Sequence, residues 1–126
     1  MPYLVDSDVL IDISRGKATA REYLDALPEG WAISQISALE LLGGARDKRD
    51  LAHIDTFLSG YLIVPLRGSI GTRAHELVKL YAKSHGLHVF DSLIAATAIE
   101  EGLTLVTKNR RHFGMIQGLS LEVPQY

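Results

Sequence analysis

Three carboxylates that lie far apart in the chain, Asp6, Glu40 and Asp91, and an amide, Asn109, carry the most suggestive chemistry in this sequence. Asp6 follows the apolar run Tyr3-Leu4-Val5. Glu40 lies in a helical stretch after Trp31-Ala32-Ile33. Asp91 opens an alanine-rich stretch, and Asn109 closes Thr107-Lys108-Asn109 after Thr104-Leu105-Val106. Carboxylates brought together repel one another and raise one another's pKa; a divalent cation among them offsets that repulsion. Oxygen donors in a chain with no cysteine point to Mg²⁺ or Mn²⁺ rather than zinc. Ser7 and Thr107 have hydroxyls that can hold a water or a carboxylate, and Asp8 can act as a ligand or as support. The run Lys108, Arg110, Arg111 offers phosphate contacts beside the acids. The shorter runs Arg15/Lys17 and Arg46/Lys48/Arg49 read first as solvated loops.

Each of these residues also has an ordinary explanation. Asp6 and Ser7 can cap a helix, Ser37 and Glu40 have capping-box spacing, Asp91 can be an N-cap, and Asn109 suits a turn. Four caps that also converge on one sheet edge form a less economical reading than a site. Asp12 reads as part of a solvated face, and His53, His75, His85, His88 and His112 as surface or hydrogen-bonding residues.

The elements that must position these groups alternate. Short strands are expected at 3–5, 31–33, 61–64 and 104–106, with a fifth at an edge over 119–123. Helices are expected at 7–14 and around 20–27, from 35 to the Gly43-Gly44 pair, and around 51–58. Two more are expected around 74–82 and from Ser92 to Glu101, the last ended by Gly102. Strands that are apolar throughout are buried on both faces, which favours a parallel sheet with helices on either side. In such sheets ligands sit beyond the carboxyl ends of the strands, which is where the acids stand.

A chain of 126 residues, 47% hydrophobic and 22% charged, is expected to form one domain over 1–126. The absence of cysteine excludes disulfide scaffolds, thiolate metal sites and a Cys nucleophile, and fits a cytoplasmic location. Asp6 and Asp8 interrupt any signal-peptide core, and no run is long enough for a membrane span. The net charge is 13 − 15 = −2, which excludes indiscriminate polyanion binding. With three acids committed to a cation, the remaining balance becomes 13 − 12 = +1.

The segments LVDSDVLID (4–12), ISALELLGGAR (36–46), FDSLIAATAIEEGLTLVTKNRRHF (90–113) and LEVP (121–124) resemble, in order and spacing, PIN-domain ribonucleases of the VapC toxin type. The resemblance covers essentially the whole chain, and the third segment is the most specific. It implies an αβα sandwich around a short-stranded, mainly parallel sheet, with Asp6, Glu40 and Asp91 as metal-binding acids. It also implies endoribonuclease activity, a homodimer, and an antitoxin that blocks the site. There are two departures from the family pattern. The usual Asp-x-Asn reads Asp6-Ser7-Asp8, and the fourth acidic position is Asn109.

The expected mechanism uses a water activated by the metal, in-line attack, and products with a 5′-phosphate and a 3′-hydroxyl. Asp-x-Asp at Asp6-Ser7-Asp8 also fits a haloacid-dehalogenase-type phosphatase with Asp6 as nucleophile, but that class needs a later acid pair after a strand. A response-regulator receiver needs an Asp ending the third strand, where this chain has Val64-Pro65. A non-catalytic module that binds RNA or a partner is the third alternative.

Overall fold

A computed structural model describes residues 2–126. Five strands form one sheet in the order β3-β2-β1-β4-β5: β1 (Tyr3–Val5), β2 (Trp31–Ser34), β3 (Ile63–Val64), β4 (Thr104–Val106) and β5 (Leu121–Glu122). Every pairing is parallel, so the mainly parallel expectation becomes an entirely parallel sheet. The helices are α1 (Ser7–Ser14), α2 (Ala18–Asp25), α3 (Gln35–Gly43), α4 (Lys48–Leu58), α5 (Gly68–His85), α6 (Val89–Glu101) and α7 (Arg110–Phe113).

Alternation along each short strand builds the layers. Leu4, Ala32 and Leu105 face one core with α5 and α6, where Ile70, Leu77, Ile94 and Ala95 are buried. Val5, Ile33 and Val106 face the opposite core with α1, α2 and α4, where Val9, Leu10, Leu24 and Leu58 are buried. Helix α3 reaches both cores, with Ile36 in the first and Ala38 and Leu41 in the second. Burying a Leu or Ile side chain is worth about 1.5–3 kcal/mol, so both faces of the sheet contribute substantially. In α6, Ala95, Ala96 and Ala98 are fully buried; small side chains there let α5 and α6 approach closely. The helix stops at Gly102, whose φ of 67° is left-handed, and the Leu103 N–H bonds back to Ala98.

Several element boundaries differ from expectation. The third strand is only Ile63–Val64, because Tyr61 sits in the bend after α4 and packs on aromatic neighbours. Helix α6 begins at Val89, so Asp91 lies inside its first turn and is not the cap; His88 occupies the cap position without a side-chain bond. Ser34, not Ser37, caps α3, accepting from the Ser37 N–H, which removes Glu40 from any capping box. The fifth strand lies at the edge, shortened to Leu121–Glu122.

The strand order reverses direction at β1. From β1 the chain builds outward through β2 to β3, then returns to place β4 on the other flank. The carboxyl ends of β1 and β4 therefore lie side by side at the point where a crevice forms in sheets of this kind.

Candidate active site and metal centre

Asp6 is the first residue beyond β1, and its N–H bonds to the carbonyl of Val106, the last residue of β4. Its side chain has two tasks. Oδ1 accepts from the Ser7 N–H at 2.8 Å and caps α1, as the ordinary reading expects. Oδ2 accepts from the Thr107 hydroxyl at 2.7 Å, a bond that joins the ends of the two central strands. Thr107 is fully buried, and the Asn109 N–H donates to the same hydroxyl oxygen at 3.1 Å.

The neighbouring acids gather around this pair. Asp8, in the first turn of α1, accepts from the Lys108 N–H at 2.9 Å through Oδ2, while its Oδ1 is buried without a hydrogen-bond partner. The Ser7 hydroxyl lies 3.3 Å from Glu40 Oε1 and 3.4 Å from Asp6 Oδ1, sharing one proton between two carboxylates. Asp91 Oδ2 lies 3.1 Å from Nδ1 of His112.

All four carboxyls are pushed towards the protonated form. Asp6 is raised from 3.8 to about 6, first by burial and then by the charges of Asp8 and Asp91. Burial also raises Asp8. Glu40 is raised by burial and by Asp91, against the Ser7 bond. Asp91 is raised by burial, which outweighs the opposing pull of His112 and His88. Among the described residues no three acidic or imidazole side chains stand close enough to form a ready-made cage for an ion. The donor set nonetheless fits a hard divalent cation. It is made of oxygens, its charges repel, and one buried carboxylate oxygen has no donor.

This charge pattern predicts a pH dependence for the metal-free protein. Asp6 binds its proton more tightly folded than unfolded, so its stabilising contribution is complete below pH 3.8 and lost as pH rises through about 6. The loss is on the order of 3 kcal/mol for a shift of this size. Denaturant titrations in EDTA should give higher stability at pH 5 than at pH 7; the opposite slope overturns the reading.

Asn109 holds the cap position of α7 but makes no capping bond. Its Nδ2 lies 3.1 Å from His112 Nδ1, the nitrogen that also faces Asp91. Protonated, that nitrogen donates to Asp91; neutral, it accepts from Asn109. The sequence pattern does not single out His112, whose only signal is its place three residues after Asn109. Asn109→Ala is accordingly expected to cost about 10–100-fold in cleavage, the range for an outer hydrogen-bond partner, and less than Asp91→Asn. Equal losses in a side-by-side assay would make Asn109 a direct participant.

The basic run divides. Lys108 Nζ pairs with Asp12 at 2.6 Å, and Asp12 also accepts from the Tyr126 hydroxyl at 2.6 Å. Asp12 is therefore not part of a free solvated face. Burial works against its charge, yet the bonds from Lys108 and Tyr126 hold its carboxyl below the usual range. Tyr126 packs against Tyr23, whose hydroxyl bonds Glu122 of β5, and the Lys17 ammonium lies 5.1 Å from the Tyr126 ring. Arg110 and Arg111 lie on α7, with Arg111 bordering a hollow shared by His88, Asp91 and His112.

The sequence and the fold both have relatives among known proteins. The family model for the PIN domain matches residues 3–117. The chain is 40% identical over 121 residues to Ribonuclease VapC10 of Mycobacterium tuberculosis, covering 92% of this chain and 89% of the relative. A toxin–antitoxin complex from Klebsiella pneumoniae superposes with a TM-score of 0.80 at 30% identity, over 98% of both chains. VapBC2 from Rickettsia felis, bound to a DNA fragment from its promoter, superposes with a TM-score of 0.84 at 27% identity, over 97% of this chain and 98% of that one.

Proposed function

The chain belongs to the PIN-domain family, and from that premise we propose that it is the toxin endoribonuclease of a toxin–antitoxin pair, hydrolysing RNA phosphodiester bonds with the help of Mg²⁺ or Mn²⁺. What supports the proposal is that the Ser7 hydroxyl bridges Asp6 and Glu40 beyond β1, that the charge of Asp91 bears on both of these acids, and that burial opposes the ionisation of Asp6, Asp8, Glu40 and Asp91. The relatives' names add ribonuclease activity and complexes with an antitoxin. The family match across 3–117 leaves the phosphatase and receiver readings without support.

In the proposed site Asp6, Glu40 and Asp91 would hold the cation once drawn together by it, and Asp8 would offer its unpartnered Oδ1 as a further oxygen. Bound there, the ion supplies a lowered water pKa and neutralises charge on the scissile phosphate. Thr107 and Ser7 fix the rotamer of Asp6, and Ser7 ties Glu40 to the same cap. His112 Nδ1 either donates to Asp91 and orients it or accepts from Asn109, so the ring can exchange one partner for the other. Arg111, Arg110 and, when released from Asp12, Lys108 contact RNA phosphates. Products are expected to carry a 5′-phosphate and a 3′-hydroxyl, since the attack needs no 2′-hydroxyl.

The partner is an antitoxin that lays a cation, best an arginine, against the acids; bidentate pairing suits that role. Pairing of two copies is part of the proposal, and the exposed Leu80, Val89 and Phe90 offer apolar surface for it. No helix among the described residues is long and apolar enough to cross a membrane, which accords with action in the cytoplasm. Incubating the purified chain with RNA and Mn²⁺, then mapping product ends, tests the proposal. Intact RNA across a range of substrates would leave the non-catalytic binding module as the reading.

A further inference from the structure

Residues 107–109 join β4 to α7 and belong to neither element. Two groups of this connection nevertheless serve the acids. The Thr107 hydroxyl holds Asp6, and the Lys108 N–H holds Asp8 Oδ2. A short connection has no repeating ladder of its own, so its groups keep their places only where other contacts tie it down. One tie is to β5, where the Thr107 N–H donates to the Glu122 carbonyl at 3.1 Å. The others come from side chains.

Asp8 and Asp12 stand four positions apart on α1 and so share one face of the helix. Together they grip Lys108 at both ends: Asp8 takes its N–H at 2.9 Å, and Asp12 Oδ2 takes its ammonium at 2.6 Å. The Tyr126 hydroxyl donates to the same Asp12 oxygen at 2.6 Å. The Tyr126 ring is itself held, packed on Tyr23 at 5.9 Å with the Lys17 ammonium over it at 5.1 Å. Tyr23 bonds the Glu122 carboxylate, and Glu122 is the residue whose carbonyl takes the Thr107 N–H. The ties thus form a closed circuit through Thr107, Glu122, Tyr23, Tyr126, Asp12 and Lys108. An exposed ion pair contributes little, but the Asp12 side chain is only 18% exposed and has a second donor. With Asp8 Oδ2 committed to the Lys108 N–H, the oxygen left without a donor is the buried Oδ1.

We propose that Asp12 and Tyr126 are positioning residues of the acidic site: acting through Lys108, they keep its N–H on Asp8 Oδ2, so that Asp8 Oδ1 stays free for a divalent cation. The proposal rests on the metal-dependent nuclease reading and deepens it. While the tie holds, the Lys108 ammonium is committed to Asp12, and RNA phosphates are left to Arg110 and Arg111.

The test reads the full chain in two ways: hydrogen exchange of the Lys108 amide by NMR in EDTA, and calorimetric titration with Mn²⁺ in the absence of RNA. Asp12→Ala and Lys108→Met are each expected to quicken exchange at residue 108 and to weaken Mn²⁺ binding about tenfold, the lower end of the range for outer partners of a metal site. The two combined should be no worse than either alone, because both remove one tie. Lys108→Arg should restore wild-type affinity. Tyr126→Phe keeps the ring and loses only the hydroxyl, so it should move both readings the same way by less, without disturbing the fold. In cleavage assays kcat should fall while KM for RNA stays unchanged. Unchanged Mn²⁺ affinity in Asp12→Ala overturns the proposal, whether the melting temperature falls, which makes the circuit purely structural, or KM falls, which makes Asp12 a store for an RNA-binding lysine. Additive losses in the double variant also overturn it. Failure of the nuclease reading is separate: it shows as no cleavage by the unsubstituted chain with Mn²⁺, and the exchange measurement still decides whether the tie exists.

Discussion

Asp6→Asn is expected to remove RNA cleavage, by at least about 1,000-fold, while raising the melting temperature of the metal-free protein. The activity loss should exceed the roughly 10–100-fold range of outer partners, because Asp6 is the most buried of the acids and stands at the junction of both central strands. The gain in stability follows from the same burial. An amide keeps the Ser7 N–H bond through its oxygen, and its NH₂ can donate to the Thr107 oxygen while that hydroxyl turns to Asp8, 3.3 Å away. The charge that burial, Asp8 and Asp91 oppose is gone. Each kcal/mol recovered is worth about 4 °C at this chain length. Parallel melting curves and cleavage assays measure both halves. Full activity in Asp6→Asn would reduce Asp6 to a helix cap. A large fall in melting temperature would show that its charge is structural.

Withdrawal of divalent ions is the second large effect. EDTA should bring cleavage to background, and excess Mg²⁺ or Mn²⁺ should restore it. The ion also stabilises, because binding to the folded state adds about 2.7 kcal/mol at a hundredfold excess over Kd. That corresponds to a rise in melting temperature on the order of 10 °C. The rise should shrink as pH falls towards 5, where protons compete for Asp6. Cleavage that persists in EDTA would overturn the mechanism, and a pH-independent shift would place the ion elsewhere.

What the linear pattern reveals and what it hides have physical causes. Asp6 and Thr107 are legible because each directly follows a short apolar run, and strand ends in parallel sheets gather at one edge. The start of α6 is hidden because its cap, His88, makes no side-chain bond, whereas Asp91 and Ser92 imitate a cap in composition. Glu40 lies against the Ser7 hydroxyl that also reaches Asp6, and its local explanation changes because Ser34 is the cap of α3. Asp12 looks like a solvated residue in the sequence because its partners, Lys108 and Tyr126, lie 96 and 114 positions away, beyond any periodicity. His112 escapes for the opposite reason. Its site is local, yet a histidine three residues after an asparagine has no distinctive pattern until the ring meets both that asparagine and Asp91.

The bond between Thr107 and Asp6 spans 101 positions of sequence, and that distance has a meaning in time. Chain closure on that scale carries an entropic cost that must be met before the native contacts reward it. During synthesis at roughly 5–20 residues per second, Asp6 waits about 5–20 s before Thr107 is even made. Until β4 pairs with β1, Asp6 has no buried hydroxyl to orient it and Asp8 has no Lys108 N–H. A ribosome-bound chain that stops short of β4 therefore carries the acids without the assembled site. Whatever the site does, it can begin only once β4 has been made and has paired with β1.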